Sequence, residues 1–230
     1  MRSTGAVRDF NADPVPDDVL YRVLDTARFA PSGGNRQGWR VIVVQDPATR
    51  RALRDLYLGP WYEYLAMNQA GLVPWAPVTD RAAEAEARRG APQLAAAAAA
   101  GPGGFAEHFD QVPVLLVLLA DLRLLAAVDR DLDRYTLVGG ASIYPFAWNL
   151  LLAARAEGLG GVITSMLAGR EAEAKALFDV PDELAVAGVI ALGYPTRQAS
   201  RLRRRPVERF ATVDRFSGSA FGPPPSEQGA

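Results

Sequence analysis

Two glycine-rich stretches and a set of arginines are the residues of this chain best suited to chemistry. The first stretch is APSGGNRQGW, residues 30–39, and the second is GLGGVITSML, residues 158–167. Glycine lets main-chain amides approach a ligand with no Cβ in the way, and Asn35 beside Gly33 and Gly34 can both donate and accept hydrogen bonds. Neither stretch has the form that grips a nucleotide. A P-loop needs a Gly-Lys pair, which is absent, and a dinucleotide fingerprint needs GxGxxG between a strand and a helix. Both stretches instead leave a helical pattern and enter a strand-like one, so no helix N-terminus is aimed at an anion. A flat ring system suits them better. A phosphate on that ligand would need guanidinium forks. Arg8 and the cluster Arg201, Arg203, Arg204 and Arg205, from opposite ends of the chain, are the candidates.

Other chemistries are excluded by composition. There is no cysteine, so disulfides, thiol nucleophiles, zinc–thiolate sites and iron–sulfur clusters are ruled out. His108 is the only histidine; a histidine-based metal cluster cannot form within one subunit, and a Ser-His-Asp triad would depend on that one residue. No metal site is expected and no catalytic side chain is assigned. The net charge of −1 lacks the basic surplus of a general nucleic-acid binder. The start of the chain, MRSTGAVRDF, carries no apolar signal core, and the longest apolar run, residues 112–120, is too short to span a bilayer. A cytoplasmic protein with no membrane or nucleic-acid partner is expected.

The elements that must position these residues can be read from periodicity. DPVPDDVLYRVLDTARFA is a helix with Pro16 in its first turn, Asp17 and Asp18 at its positive end, and Pro31 closing it. WRVIVVQD reads as a buried strand, and Asp46-Pro47 restarts a helix through Leu53 and Leu56. Residues 59–80 read as irregular and aromatic. Trp61, Tyr62 and Tyr64 there are either core or the wall of a substrate pocket. Residues 81–104 are alanine-rich, partly helical, and read as a surface insertion or lid. VPVLLVLLAD is a strand, residues 132–157 a long helical pattern with Pro145 inside it, and Gly158 its C-cap. A loop and short strand over 158–167, a helix in REAEAKALF, a fourth strand in AVAGVIALG and an extended arm complete the chain. Residues 217–230 read as a disordered tail. Few strands, many helices and no regular βαβ alternation indicate an α+β domain over residues 1–216.

APSGGNRQGW after an amphipathic helix, then VIVV, resembles the first signature of the FMN-dependent nitroreductase family. The later pieces VPVLLVLLAD, NLLLAARAEGLGG, a helix ending in Val-Pro, VIALGYP and RRRPVERF follow in that family's order over roughly residues 4–214. The resemblance implies an α+β sandwich with a mostly antiparallel sheet flanked by helices, built as an intertwined homodimer with an FMN in each of two interface sites. It implies that Arg8, Arg203 and Arg205 hold the phosphate, that Pro31, Ser32, Gly33 and Asn35 contact ribityl and ring, and that Gly160 and Gly161, with Thr164 or Ser165, face the isoalloxazine edge. Two positions depart from the family: Gly5 and Ala6 stand where an Arg-Ser pair is common, and Gly38 where a proline is common.

The implied activity is ping-pong hydride transfer from NADH or NADPH through flavin N5 to an electron-poor small molecule, such as a nitroaromatic, quinone or enone. Alternatives are a flavin-dependent dehydrogenase of a biosynthetic intermediate, a non-catalytic flavin-binding protein, or a module using the arginine arm on an acidic partner. Several residues read as structural: Trp39 as core, His108 before a buried strand, Asn149 in a local hydrogen bond, and Glu171 and Glu173 on a solvated helix face.

Overall fold

The computed structural model describes residues 1–223. Its frame is an antiparallel sheet of β1 (Trp39–Val43), β2 (Val114–Asp121), β3 (Gly160–Thr164) and β4 (Leu184–Gly193), in the order β1-β2-β4-β3. All eight residues of β2 are buried, as a central strand covered on both faces requires. Alternate residues serve opposite layers. Val114, Leu116, Leu118 and Ala120 pack under α1 (Asp17–Ala27) and α5 (Tyr144–Ala156), while Leu115, Val117 and Leu119 pack under α2 (Pro47–Gln69) and α6 (Glu171–Phe178).

β4 changes parity along its length. Val186 shares a face with Val189 and Ala191, because the register slips at Leu118/Leu119 and leaves Ala187 as an extra residue. Gly188 beside it has φ +156°, and a Cβ there would lie 2.9 Å from the Thr164 carbonyl. The bulge frees the Val186 amide, and Glu171 Oε1 accepts it at 2.6 Å. Glu171 is therefore a capping ligand of the bulge, whereas Glu173 pairs with Arg170 at the surface as a solvated helix residue should. Glu171→Ala is expected to cost about 1–2 kcal/mol, with Glu171→Gln retaining most of it, measured by urea denaturation.

Several expectations are corrected. β1 is an edge strand, not a buried one: Arg40 and Val43 are exposed and only Trp39, stacked on Phe146 at 5.0 Å, is fully covered. Residues 59–69 are helical. α2 runs through Pro60 because six buried residues, Leu53, Tyr57, Pro60, Tyr62, Ala66 and Met67, hold it against its neighbours and outweigh the lost hydrogen bond. Within 132–157 only Tyr144–Ala156 is α-helix; Gly139 and Gly140 fall in a short 3₁₀ turn, and Pro145 starts the helix rather than kinking it. Gly160 and Gly161 belong to β3, not to a loop. The 81–104 segment forms α3 (Arg81–Arg88) and α4 (Ala91–Ala99), which pack on α2 through Tyr62, Ala66 and Ala91. Residues 217–223 make a return turn, with Ser219 and Phe221 bonded to Val213 and Ala211, so that part of the expected tail is ordered. Residues 224–230 lie outside the described residues. Among those described, no helix is long and apolar enough to cross a membrane.

Four aspartates are held below their ordinary value of 3.8: Asp18 by the Arg22 guanidinium, Asp46 by the Thr49 amide, Asp121 by the Arg123 guanidinium, and Asp129 by the Leu137 amide. A depressed folded pKa contributes stability that is present above the unfolded value and lost as pH falls through the folded one. The Tm is therefore expected to fall below about pH 4, and Asp129→Asn should flatten that fall.

Candidate functional site

Tyr57, Trp61 and Tyr64 recur on α2 at i, i+4 and i+7, so they share one helical face. Their rings form a ladder. Phe109 stacks on Tyr57 at 4.3 Å, Tyr57 on Trp61 at 6.1 Å, and Trp61 on Tyr64 at 5.6 Å. Facing the ladder, β3 ends at Thr164 and turns through Ser165 and Met166, and Arg8 enters from the N-terminal arm; together they enclose a cavity of about 280 Å³. Tyr57 Oη and Thr164 Oγ1 share a buried hydrogen bond at 3.2 Å, which ties the two walls, and burial pushes the Tyr57 phenol up. The lining carries one cation and no carboxylate.

Tyr62 does not join this wall. One residue on from Trp61 it points about 100° away around the helix and donates to Glu107 Oε1 at 2.7 Å. Burial and the Glu107 carboxylate push the Tyr62 phenol up to about 12. On the far side of Arg8 a second cleft of about 480 Å³ is lined by Phe10, Phe105, His108 and Gln111. His108 holds the 102–111 turn, with Nε2 2.8 Å from the Pro102 carbonyl and Nδ1 3.2 Å from Gln111 Nε2, as its structural reading requires.

The arm that carries Arg8 is fixed to β3. Ala6 bridges Gly161, and the Val7 amide donates to the Gly161 carbonyl at 2.9 Å. This contact explains Gly160, where a Cβ would fall 2.9 Å from Val7; Gly161 is crowded from β4 instead, where a Cβ would fall 2.8 Å from the Ala191 carbonyl. Further along, Thr196 Oγ1 donates to Asp9 at 2.6 Å and the Leu202 amide donates to the Arg2 carbonyl at 3.1 Å, so the two chain ends run together. Between them lies a basic cleft of about 560 Å³ containing Arg2, Thr4, Trp148, Arg201, Arg204 and Arg205. Thr4 is 8% exposed and its hydroxyl has no hydrogen-bond partner among the described residues. Arg205 lines this cleft with Arg201 and Arg204. Arg203 is not in the lining, and only its carbonyl is engaged, by Arg204. Arg8 lines the aromatic cavity and also, with Arg197, Ser200 and Arg201, an intervening cleft of about 600 Å³; Arg205 lines neither.

The 31–38 loop is elsewhere. Gly34, Asn35 and Gln37 have φ of +61°, +53° and +51°, and the turn is held by Gly33 N–H to Ser142 Oγ at 3.1 Å and Gln37 N–H to Ser32 Oγ at 3.0 Å. It leads into β1, the outer strand opposite β3. Three strand spacings separate these edges, roughly 14 Å. Within one chain, Pro31, Ser32, Gly33 and Asn35 are therefore not brought to Arg8 and Thr164. Asn149 is half-buried on α5, and its side chain makes no hydrogen bond among the described residues. Tyr57, Thr4 and Trp148 were not singled out from the sequence. The i, i+4 spacing to Trp61 could have found Tyr57; nothing local marks the other two, which meet only through tertiary contact.

A sequence profile described as the nitroreductase family matches residues 1–194. A protein of Thermus thermophilus named NADH dehydrogenase is 31% identical over 204 residues, covering 89% of each chain. Among solved structures, iodotyrosine deiodinase bound to FMN and 3-iodo-L-tyrosine superposes with a TM-score of 0.62 at 22% identity, covering 93% of this chain and 96% of that one. NADPH:FMN oxidoreductase from Vibrio harveyi, in complex with NAD+, gives 0.61 at 21% identity over 94% and 75% of the two chains. With the profile spanning most of the chain and the sheet order, arm and paired clefts in place, this chain belongs to the nitroreductase family.

Proposed function

We propose that the chain is an FMN-dependent oxidoreductase acting as a homodimer on a small electron-poor molecule. The observation that carries this reading is the Thr4 hydroxyl, buried beside Arg2, Arg201, Arg204 and Arg205 with no hydrogen-bond partner and no carboxylate in the lining among the described residues. Buried polar atoms are almost always hydrogen-bonded, and a phosphate offers acceptors to a hydroxyl and to guanidinium forks at once. The residues present therefore fit a phosphorylated ligand. The arm from Thr4 to Arg8 leads from this basic end to the aromatic cavity, so the phosphate would lie at the first and the flat ring at the second.

FMN, when bound, supplies two-electron chemistry, taking hydride from NADH or NADPH and passing it to a quinone, enone or nitroaromatic. The names of the Thermus protein and of the two solved structures support that cofactor and a nicotinamide donor. The chain's own part is to bind and orient. Arg8 sets a guanidinium against the ring, where low-dielectric aromatic walls strengthen its attraction for negative charge. Thr164, held by Tyr57, and Ser165 present hydroxyls at the ring edge. Gly160 lets the arm lie close enough for Arg8 to arrive. The ladder of Tyr57, Trp61 and Tyr64 excludes water and offers stacking surface.

A second copy completes the site in this reading. A two-fold pair can set the β1-edge loop of one protomer, with Pro31, Ser32, Gly33 and Asn35, against the β3 edge of the other, giving two equal sites. The C-terminal segment supports pairing: Val207, Phe210, Val213, Phe216 and Phe221 are all exposed, Phe216 fully, which is more apolar surface than an isolated chain leaves to water. Purified protein is expected to be yellow, to bind FMN and to oxidise NADH or NADPH with menadione as acceptor. Colourless protein that takes up no FMN overturns the cofactor, and a monomer by light scattering overturns the pairing.

A further inference from the structure

Beyond α2 the chain makes a turn at Val73-Pro74-Trp75-Ala76, closed by the Ala76 amide donating to the Val73 carbonyl at 3.2 Å. Pro74 occupies the second position and Trp75, with φ +52°, the third. Proline followed by a positive φ is the pattern of a type II turn, whose third residue is ordinarily glycine or asparagine. A bulky side chain there is an outlier, and such strain persists where surrounding structure or function holds it. The indole continues the ladder: its ring lies 6.3 Å from Tyr64, planes inclined by 23°, while 39% of the residue stays exposed. Tyr64 in turn lines the cavity with Arg8 and Thr164. A residue that only sealed apolar surface would not need a ring at a glycine corner.

We propose that Trp75 is a specificity-determining residue that clamps planar aromatic acceptors against Tyr64, which itself lines the cavity. A ring slotted between two others puts their planes about 7 Å apart, so admitting an acceptor requires Trp75 to swing away from the Tyr64 ring on which it now stacks. The strain sits on Trp75 itself, whose φ of +52° a bulky residue rarely holds, so a movement that relaxes it is favoured over one elsewhere in the turn. Planar quinones and fused nitroaromatics meet both rings; compact non-planar acceptors meet neither. This assignment rests on the cavity being where cofactor and acceptor meet.

The probe is menadione, its affinity measured by equilibrium dialysis without electron donor, so that the readout does not depend on turnover. Trp75→Gly is expected to weaken binding about fivefold, the worth of one stacked aromatic pair. Trp75→Phe should restore most of it, and Trp75→Leu, apolar but without a ring, should not. In the FMN-loaded enzyme, the ratio of kcat/KM for menadione to that for ferricyanide should fall by the same factor, through KM. Full menadione affinity in Trp75→Gly or Trp75→Leu overturns the assignment, as does an equal loss for both acceptors. Should Trp75→Gly fail to fold, the Phe and Leu variants still decide. If the wild-type protein takes up no FMN, the functional reading fails by itself, while the dialysis still tests Trp75.

Discussion

Arg8→Met is expected to lower turnover about a hundredfold, the scale on which an enzyme loses rate when one aligned donor or cation is removed. The loss should persist at saturating FMN. That separates two roles for the residue. A phosphate ligand would be lost through cofactor affinity, and excess FMN would compensate. A guanidinium set beside Tyr57, Thr164 and Ser165 would act on the ring instead, and excess cofactor would not replace it. Arg205→Met should show the complementary behaviour, weakening FMN binding with rate restored by excess, because it lies with Thr4 and Arg201. Arg203→Met should change both by less than about twofold, since its side chain is outside that lining. Stopped-flow reduction by NADH over a range of FMN concentrations reads all three.

Gly161→Ala is the largest expected stability effect, about 3 kcal/mol, at the upper end for overpacking a well-filled interior. The new methyl would lie 2.8 Å from the Ala191 carbonyl and 3.1 Å from Leu151, and main chain cannot move aside as a flexible side chain can. For a domain of this size that loss lowers Tm by roughly 6–12 °C. It would also loosen Arg8, because the Val7 amide hangs on the Gly161 carbonyl. Gly71→Ala is the control. Its φ of +74° is strained for alanine but nothing lies within 4 Å of the added methyl, so about 1 kcal/mol is expected. Calorimetry on the two variants separates crowding from backbone strain.

Much of this frame could be read from residue pattern alone, and the misses have physical reasons. β2 and β4 were legible because continuous apolar runs bounded by Pro113 and Gly193 have few alternatives. α1 was legible from Leu20, Val23 and Ala27 behind two aspartates. The second half of α2 was not, because Gly59-Pro60 is a local breaker overruled by tertiary packing of Tyr62, Ala66 and Met67. Gly160 and Gly161 looked like a loop that bares its amides, and are strand residues that make room for Val7 and Leu192. Glycine marks close approach without saying what approaches. At the site, Trp61, Tyr64, Thr164 and Ser165 line one cavity, joined there by Arg8, which was expected with the phosphate, whereas Tyr62 turns away because helical neighbours diverge. Thr4 and Trp148 carried no local signal, since both gain meaning only when the chain ends meet.

The opposed placement of the 31–38 loop on β1 and of Arg8 on β3 has a genetic consequence. If each site draws one edge from each copy, a protein damaged at Arg8 and another damaged at Asn35 are both inactive alone. Co-expressed, they form mixed pairs in which one site collects both lesions and the other collects none. Two dead alleles should then rescue each other to a measurable fraction of normal activity. Two lesions on the same edge should never do so.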